Sequence, residues 1–180
     1  MMFPIRQPQV RSIIELGDNR LRSHAQPIKH IDDPQLQQLI DDLLTTAVAK
    51  NGVGIAAPQV AAGLQLFIVA SRPNPRYPQA PTMEPTAMIN PQIISYSDNL
   101  VHGWEGCLSV PGQRGWVPRH REIEVLYCDR NGQEHRPVLQ DFVARIFQHE
   151  YDHLQGKVFL DRVQTPADVI TEVDYQRRFG

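Results

Sequence analysis

The run His149-Glu150-Tyr151-Asp152-His153 concentrates residues that can do chemistry. On a helix, side chains at i and i+4 lie one turn apart on the same face, so His149 and His153 can converge on one metal ion. Glu150 stands beside them and can reach a water held at that ion. A metal brings the pKa of such a water toward neutrality, and a carboxylate can then take its proton and return it to a leaving group. A chance match on a surface helix is the bland alternative. The neighbouring Phe142, Val143, Ile146, Phe147 and Leu154 recur at helical spacing and predict a helix largely buried around the histidines. Buried imidazoles need partners, and a metal is one.

A catalytic metal site usually has three protein ligands and one open position. The zinc-peptidase spacing H-E-x-x-H-x-x-G-x-x-H is matched at Gly156, but residue 159 is Phe where a third histidine would stand. Cys107 is the remaining soft donor. Its neighbours Gly106 and Ser109 are small, and a thiolate with two imidazoles suits a borderline or soft divalent metal. Alone, it would read as a small core hydrophobe. Glu172 is the competing third ligand and would make the chain a zinc endopeptidase. A metal-stabilised binding protein without catalysis is a third reading, and it has no use for Glu150.

The elements that must position these residues are partly readable. Asp33-Pro34 marks a helix start, with Asp as N-cap and Pro at the first helical position. Leu36, Leu39, Ile40, Leu43, Leu44, Ala47 and Val48 continue it for about four turns, to a stop near Asn51-Gly52. Residues 64–70 read as a buried strand. Residues 73–91 carry six prolines and read as a long surface loop within one domain, with no catalytic role. Residues 121–127 alternate at period two and lead into Asn131-Gly132, a hairpin-turn signal, after which 135–139 pair back. The period becomes helical from about Gln140 to Gln155, with Gly156 as its cap. Residues 157–163 read as a short strand, and the tail from Pro166 as a weakly patterned short helix. Strands and helices mix without regular βαβ alternation. The expectation is an α+β fold: one compact domain, 1–180, with mixed or antiparallel sheets around a central C-terminal helix carrying residues 149–153.

Composition sets outer limits. The 180 residues suit one domain; 41% are hydrophobic and 21% charged, as in ordinary globular proteins. A formal net charge of −2 gives no reason to propose sequence-specific nucleic-acid binding. The N-terminus lacks the apolar core of a secretory signal, and no stretch approaches the roughly 18 apolar residues of a membrane span. The expected compartment is the cytoplasm, with no membrane partner. Cys107 and Cys128 are too few for a disulfide framework, and Cys128 reads as a free thiol.

Three segments in order, Gly52-Val53-Gly54-Ile55-Ala56-Ala57-Pro58-Gln59, Glu105-Gly106-Cys107-Leu108-Ser109 and Gln148-His149-Glu150-Tyr151-Asp152-His153, resemble peptide deformylase, whose motifs read G-x-G-x-A-A-x-Q, E-G-C-L-S and H-E-x-D-H. The similarity runs from about Asp18 to Val163 and points to a bacterial-type, class I-like enzyme. It implies hydrolysis of the N-formyl group from N-formyl-methionyl nascent polypeptides, with release of formate. Cys107, His149 and His153 would be the metal ligands and Glu150 the general acid and base. The Gln59 amide and the Leu108 N–H would form the oxyanion hole. Gly54 would present backbone to a substrate lying like an added strand. Val53, Phe142 and Ile146 would form the apolar pocket for methionine with the wall of His149, Arg114 would border it, and Arg145 would narrow or edge it. The cofactor implied is one divalent ion, Fe(2+) by family habit, with nickel, cobalt or zinc able to occupy the same ligands. A transient ribosome contact through the C-terminal tail is known in some relatives. Whether Trp104 shapes the cleft and Glu105 supports the metal shell is a question for the structure.

Overall fold

A computed structural model describes residues 6–179. In chain order its main elements are α1 (Pro34–Ala49), β1 (Gly54–Ala56), β2 (Leu66–Val69), β3 (Thr86–Tyr96), β4 (Leu100–Cys107), β5 (Val110–His120), β6 (Glu122–Cys128), β7 (Glu134–His135), β8 (Val138–Gln140), α2 (Asp141–Leu154), β9 (Val169–Thr171) and α3 (Glu172–Phe179). All strand pairs are antiparallel. One sheet runs β1-β2-β3-β6-β7 with β8 also on β6; a second runs β4-β5-β9.

β2 explains the layering. Its four side chains are all buried, and they alternate between faces as a strand must. Phe67 and Val69 join a core with Ala144, Ile146, Phe147 and Leu154 of α2. Leu66 and Ile68 join another with Leu36, Ile40, Leu43 and Ala47 of α1. The first sheet is thus sandwiched between two helices, and α2 lies between it and the β4–β5 hairpin. The α1 start is built as its sequence predicts: the Asp33 carboxylate accepts from Gln35 N–H at 2.8 Å, with Pro34 in the first turn. At the other end of α2, Gly156 follows the helix with φ +69°, and a Cβ there would lie 2.5 Å from the Arg22 carbonyl oxygen.

Two expectations fail. Residues 157–163 form no strand; Phe159–Asp161 is a turn of 3-10 helix, and Phe159 is buried beside Cys107 and Val110 rather than laddered to a neighbour. The proline-rich loop also ends earlier than its composition suggests. Thr86 onward is strand, and Pro91 sits where the β3–β6 register shifts between Ile89 and Gln92, beside Asn90 at φ +48°. A bulge tolerates the missing N–H that a regular ladder would not.

Candidate metal centre and cleft

The β4–β5 hairpin turns through Leu108 and Ser109, with Cys107 opposite Val110. This brings the Cys107 thiol to face α2. There His149 and His153, one turn apart, point toward it. One donor atom from each of Cys107, His149 and His153 lies within 4.8 Å of the others, and Cys107 Sγ is 3.4 Å from His153 Nε2. Cys107 and His153 are buried, at 4% and 1% exposure, and His149 is half-buried.

The His149 arm is held from behind, whereas His153 Nδ1 has no hydrogen-bond partner among the described residues. The Glu105 carboxylate is 2.9 Å from His149 Nδ1 and accepts from Arg119 Nε at 2.9 Å, Arg119 Nη2 at 3.0 Å and Arg145 Nη1 at 2.8 Å. With Nδ1 engaged, His149 is left with Nε2 for the centre. Such carboxylate–imidazole contacts fix ring orientation. Arg119 also donates to Asp152 at 2.7 Å, and Arg162 closes the far side of Asp152 at 2.5 Å. One buried ion-pair chain therefore ties the hairpin to two positions on α2.

Electrostatics follow from this packing. Burial opposes ionisation of Glu105, but Arg119 and His149 overcome it and hold the carboxyl far below its usual range. Burial would likewise raise the Cys107 thiol, yet His153 and His149 hold it well below the ordinary thiol value. Burial pushes His149 down, whereas Cys107 and Glu105 lift it well above the ordinary imidazole value. Glu150 is pushed up to about 7, chiefly by burial, and its Oε2 has no partner among the described residues.

Gln59 comes from the first motif, in a 3-10 turn after β1. Its Oε1 accepts from Ala56 N–H at 2.8 Å, which aims the NH₂ group at Ser109 Oγ (3.1 Å) and Cys107 Sγ (3.5 Å). Gly54 is needed for close approach: a Cβ there would lie 2.5 Å from Glu150 Oε1 and 2.9 Å from Ile146 Cγ2.

A cleft opens over this centre. Val53, Gly54, Gln59, Cys107, Leu108, Phe142, Ile146, His149 and Glu150 all line it, as do Trp104, Glu105 and Arg145. Arg114 does not. Its guanidinium is fully buried behind the wall and is paired with Glu172 at 2.6 Å. A buried guanidinium needs a carboxylate, and that pairing also accounts for Glu172, which stands outside the Cys107–His149–His153 group. The places that sequence reasoning left empty are filled by Arg76 and Tyr77, from the proline-rich loop. No local pattern distinguishes them. Arg119 was equally silent, since one arginine on an alternating strand reads as surface, and only a charged partner beneath it says otherwise.

A soft three-donor group with an unpartnered carboxyl beside it, at the floor of a cleft, defines a metal-dependent hydrolase. The family model described as polypeptide deformylase matches residues 10–168. The chain is 60% identical over 169 residues to "Peptide deformylase 2" of Nostoc sp., covering 94% of both chains. It is 50% identical over 154 residues to "Peptide deformylase 2" of Shewanella oneidensis, covering 86% of this chain and 84% of that one. Among solved structures, the Met-Ala-Ser-bound class I type b peptide deformylase of Acinetobacter baumannii superimposes with a TM-score of 0.84 at 44% identity, over 86% of this chain and 98% of that one. The chain belongs to the peptide deformylase family. Its activity is removal of the formyl group from N-terminal formyl-methionine, with release of formate.

Proposed function

We propose that Cys107, His149 and His153 hold one divalent ion and that Glu150 moves the proton in formyl hydrolysis. The observation that carries this reading is the convergence of three donor atoms within 4.8 Å, with Glu150 Oε2 buried and unpartnered beside them. That oxygen requires a hydrogen-bonding group to arrive, and a water or substrate atom at the centre provides one. The donor set fits a borderline divalent cation. We assign ferrous iron, Fe(2+), as the working ion; nickel, cobalt and zinc suit the same ligands.

When bound, the ion polarises the formyl carbonyl and makes a water nucleophilic near neutral pH. The chain's residues supply the rest. Glu150 takes the proton from the attacking water and delivers it to the amide nitrogen as the C–N bond breaks, so the products are formate and a free amine. The Gln59 NH₂ group and the Leu108 N–H donate to the developing oxyanion without adding a charge that would trap the ground state. Glu105 keeps His149 in register. Val53, Phe142 and Ile146 receive the methionine side chain, with Arg145 at its edge. β1 is an edge strand of its sheet, which suits pairing of the substrate backbone along Gly54. Residues 1–180 act as one catalytic domain on nascent N-formyl-methionyl polypeptides in the cytoplasm, with a transient ribosome contact. No helix among the described residues is long and apolar enough to cross a membrane.

Metal content after purification tests the ligand set. Cys107→Ala should lose the ion and Glu172→Ala should keep it; the reverse would restore the endopeptidase ligand set of His149, His153 and Glu172. Because both ferrous iron and a thiolate oxidise, anaerobically prepared protein should outlast aerobically handled protein. Equal activity after prolonged exposure to air would count against iron.

A further inference from the structure

The second sheet delivers the tail to the back of the cleft wall. β5 lies between β4 and β9: on its β9 side Gln113 pairs with Thr171, Arg114 with Ile170 and Gly115 with Val169, while Gly115 also pairs with Glu105 of β4. This register places Glu172, the first residue of α3, against Arg114. The pair is two-pronged, Nε to Oε2 at 2.6 Å and Nη2 to Oε1 at 3.1 Å. The Arg114 guanidinium lies between two rings, 5.0 Å from the Tyr77 centroid and 4.6 Å from that of Tyr175, and reaches the Arg76 carbonyl at 3.5 Å. Tyr77 is in turn seated on the metal hairpin, its hydroxyl accepting from Gly106 N–H at 3.2 Å, and its ring packs 5.4 Å from Phe142. α3 also touches the cleft lining directly, with the Tyr175 and Phe179 ring centroids 6.0 and 5.8 Å from that of Trp104.

We infer that α3 positions the substrate cleft: Glu172 and Tyr175 act through Arg114 to hold the Arg76–Tyr77 loop against the cleft, and Tyr175 and Phe179 brace Trp104. The inference rests on this cleft being the peptide-binding site. The loop has little regular support of its own, an isolated Asn74–Tyr77 bridge within a proline-rich stretch, so its placement depends on what lies behind it. Loosening it makes the enzyme order the loop at each binding event, a cost that appears in affinity. The relay meets the metal hairpin at the Gly106 backbone and the Trp104 ring and at no metal-donor side chain, so the chemical step is spared. Glu172 and Tyr175 are positioning residues in this account.

The test uses the full-length, metal-loaded enzyme and formyl-Met-Ala-Ser. Glu172→Gln should raise KM roughly tenfold, the scale of a lost charge-assisted hydrogen bond. Tyr175→Leu should raise it about threefold, the scale of one cation–π contact. In both, kcat should stay within about twofold and metal content should be unchanged, a split that general destabilisation does not produce. Tryptophan fluorescence should show Met-Ala-Ser binding weakened by the same factors. An unchanged KM in Tyr175→Leu, or a fall in kcat that tracks metal loss in either variant, would overturn the inference. If Glu172→Gln does not fold, Tyr175→Leu decides alone. A parent that released no formate would sink the reading of the reaction, and the fluorescence titration would still settle whether α3 supports peptide binding.

Discussion

Two clusters in this fold pair buried carboxylates with arginines, one around Glu105 and one around Asp42, and they do different jobs. Glu105 sits behind the metal ligands, 4% exposed at its side chain, and Arg119 beside it is 5% exposed. Every partner belongs to the hairpin or to α2. Asp42, on α1, is fully buried too, but its arginines, Arg6 and Arg11, are 39% and 40% exposed and come from the N-terminal arm. Gln9 N–H also donates to Asp42 at 2.9 Å. The first cluster joins two elements that each carry metal donors, so its geometry is passed to the donors. The second fastens to α1 a strap that carries no metal donor and meets the site further along only through backbone, Ile14 N–H donating to the Gln59 carbonyl and Leu16 N–H to the Ser109 carbonyl. Burial of a carboxylate therefore does not mark function; the elements it bridges do.

The largest effect should come from breaking the first cluster. Glu105→Ala leaves Arg119 buried with one fewer partner and removes the Nδ1 contact of His149. Unfolding free energy should fall by about 3–5 kcal/mol, and metal affinity by roughly 10- to 100-fold. Denaturant melts and metal titration of the same preparation would check both. Next, Gly54→Ala pushes a methyl group into Glu150 Oε1, so formate release should fall by roughly 100-fold while the ion is retained. A loss of that size corresponds to about 2.7 kcal/mol of transition-state stabilisation. Unimpaired turnover would show that Glu150 shifts without consequence.

Asp42→Asn should behave in the opposite way. It should cost about 1–2 kcal/mol of stability and leave formate release per folded, metal-loaded molecule unchanged. Its pH signature is also distinct. Burial alone would raise the Asp42 carboxyl, but the Gln9 N–H and Arg6 outweigh it and hold it below the usual value of 3.8. Its stabilisation is thus present above the unfolded-state value and is lost as pH falls through the lowered one. The parent's stability should drop below about pH 4, and the Asn variant should show a shallower acid limb in urea melts. The smallest effect belongs to Arg11→Met, below about 1 kcal/mol, because its partner-facing head is half in water. A large loss of activity from either Asp42→Asn or Arg11→Met would erase the distinction between the two clusters.

The same contrast explains how far the sequence could be read. Local signals were sufficient where one residue's chemistry carries its own geometry: Asp33-Pro34 opens α1, the i and i+4 histidines share a face of α2, and Gly156 ends it. The residue types around Cys107, Gln59 and Glu150 named the site because their spacing recurs in one family. What stayed hidden was long-range pairing. Arg119, Arg145 and Asp152 become one chain of ion pairs only when hairpin and helix meet. Arg76 and Tyr77 sit in a stretch that composition marks as mere loop, yet the tail behind Arg114 carries them to the cleft. Pro91 reads as a strand breaker until a bulge accommodates it.

The central claim is that Glu150 moves the proton at a centre held by Cys107, His149 and His153. Formate release from formyl-Met-Ala-Ser by anaerobically prepared, ferrous-loaded protein, measured beside Glu150→Ala with metal content determined for both, tests it most directly. Rapid release by the parent and near-complete loss in a variant that keeps its metal is the predicted result. Release undiminished in Glu150→Ala, or none from a folded and fully loaded parent, would contradict it.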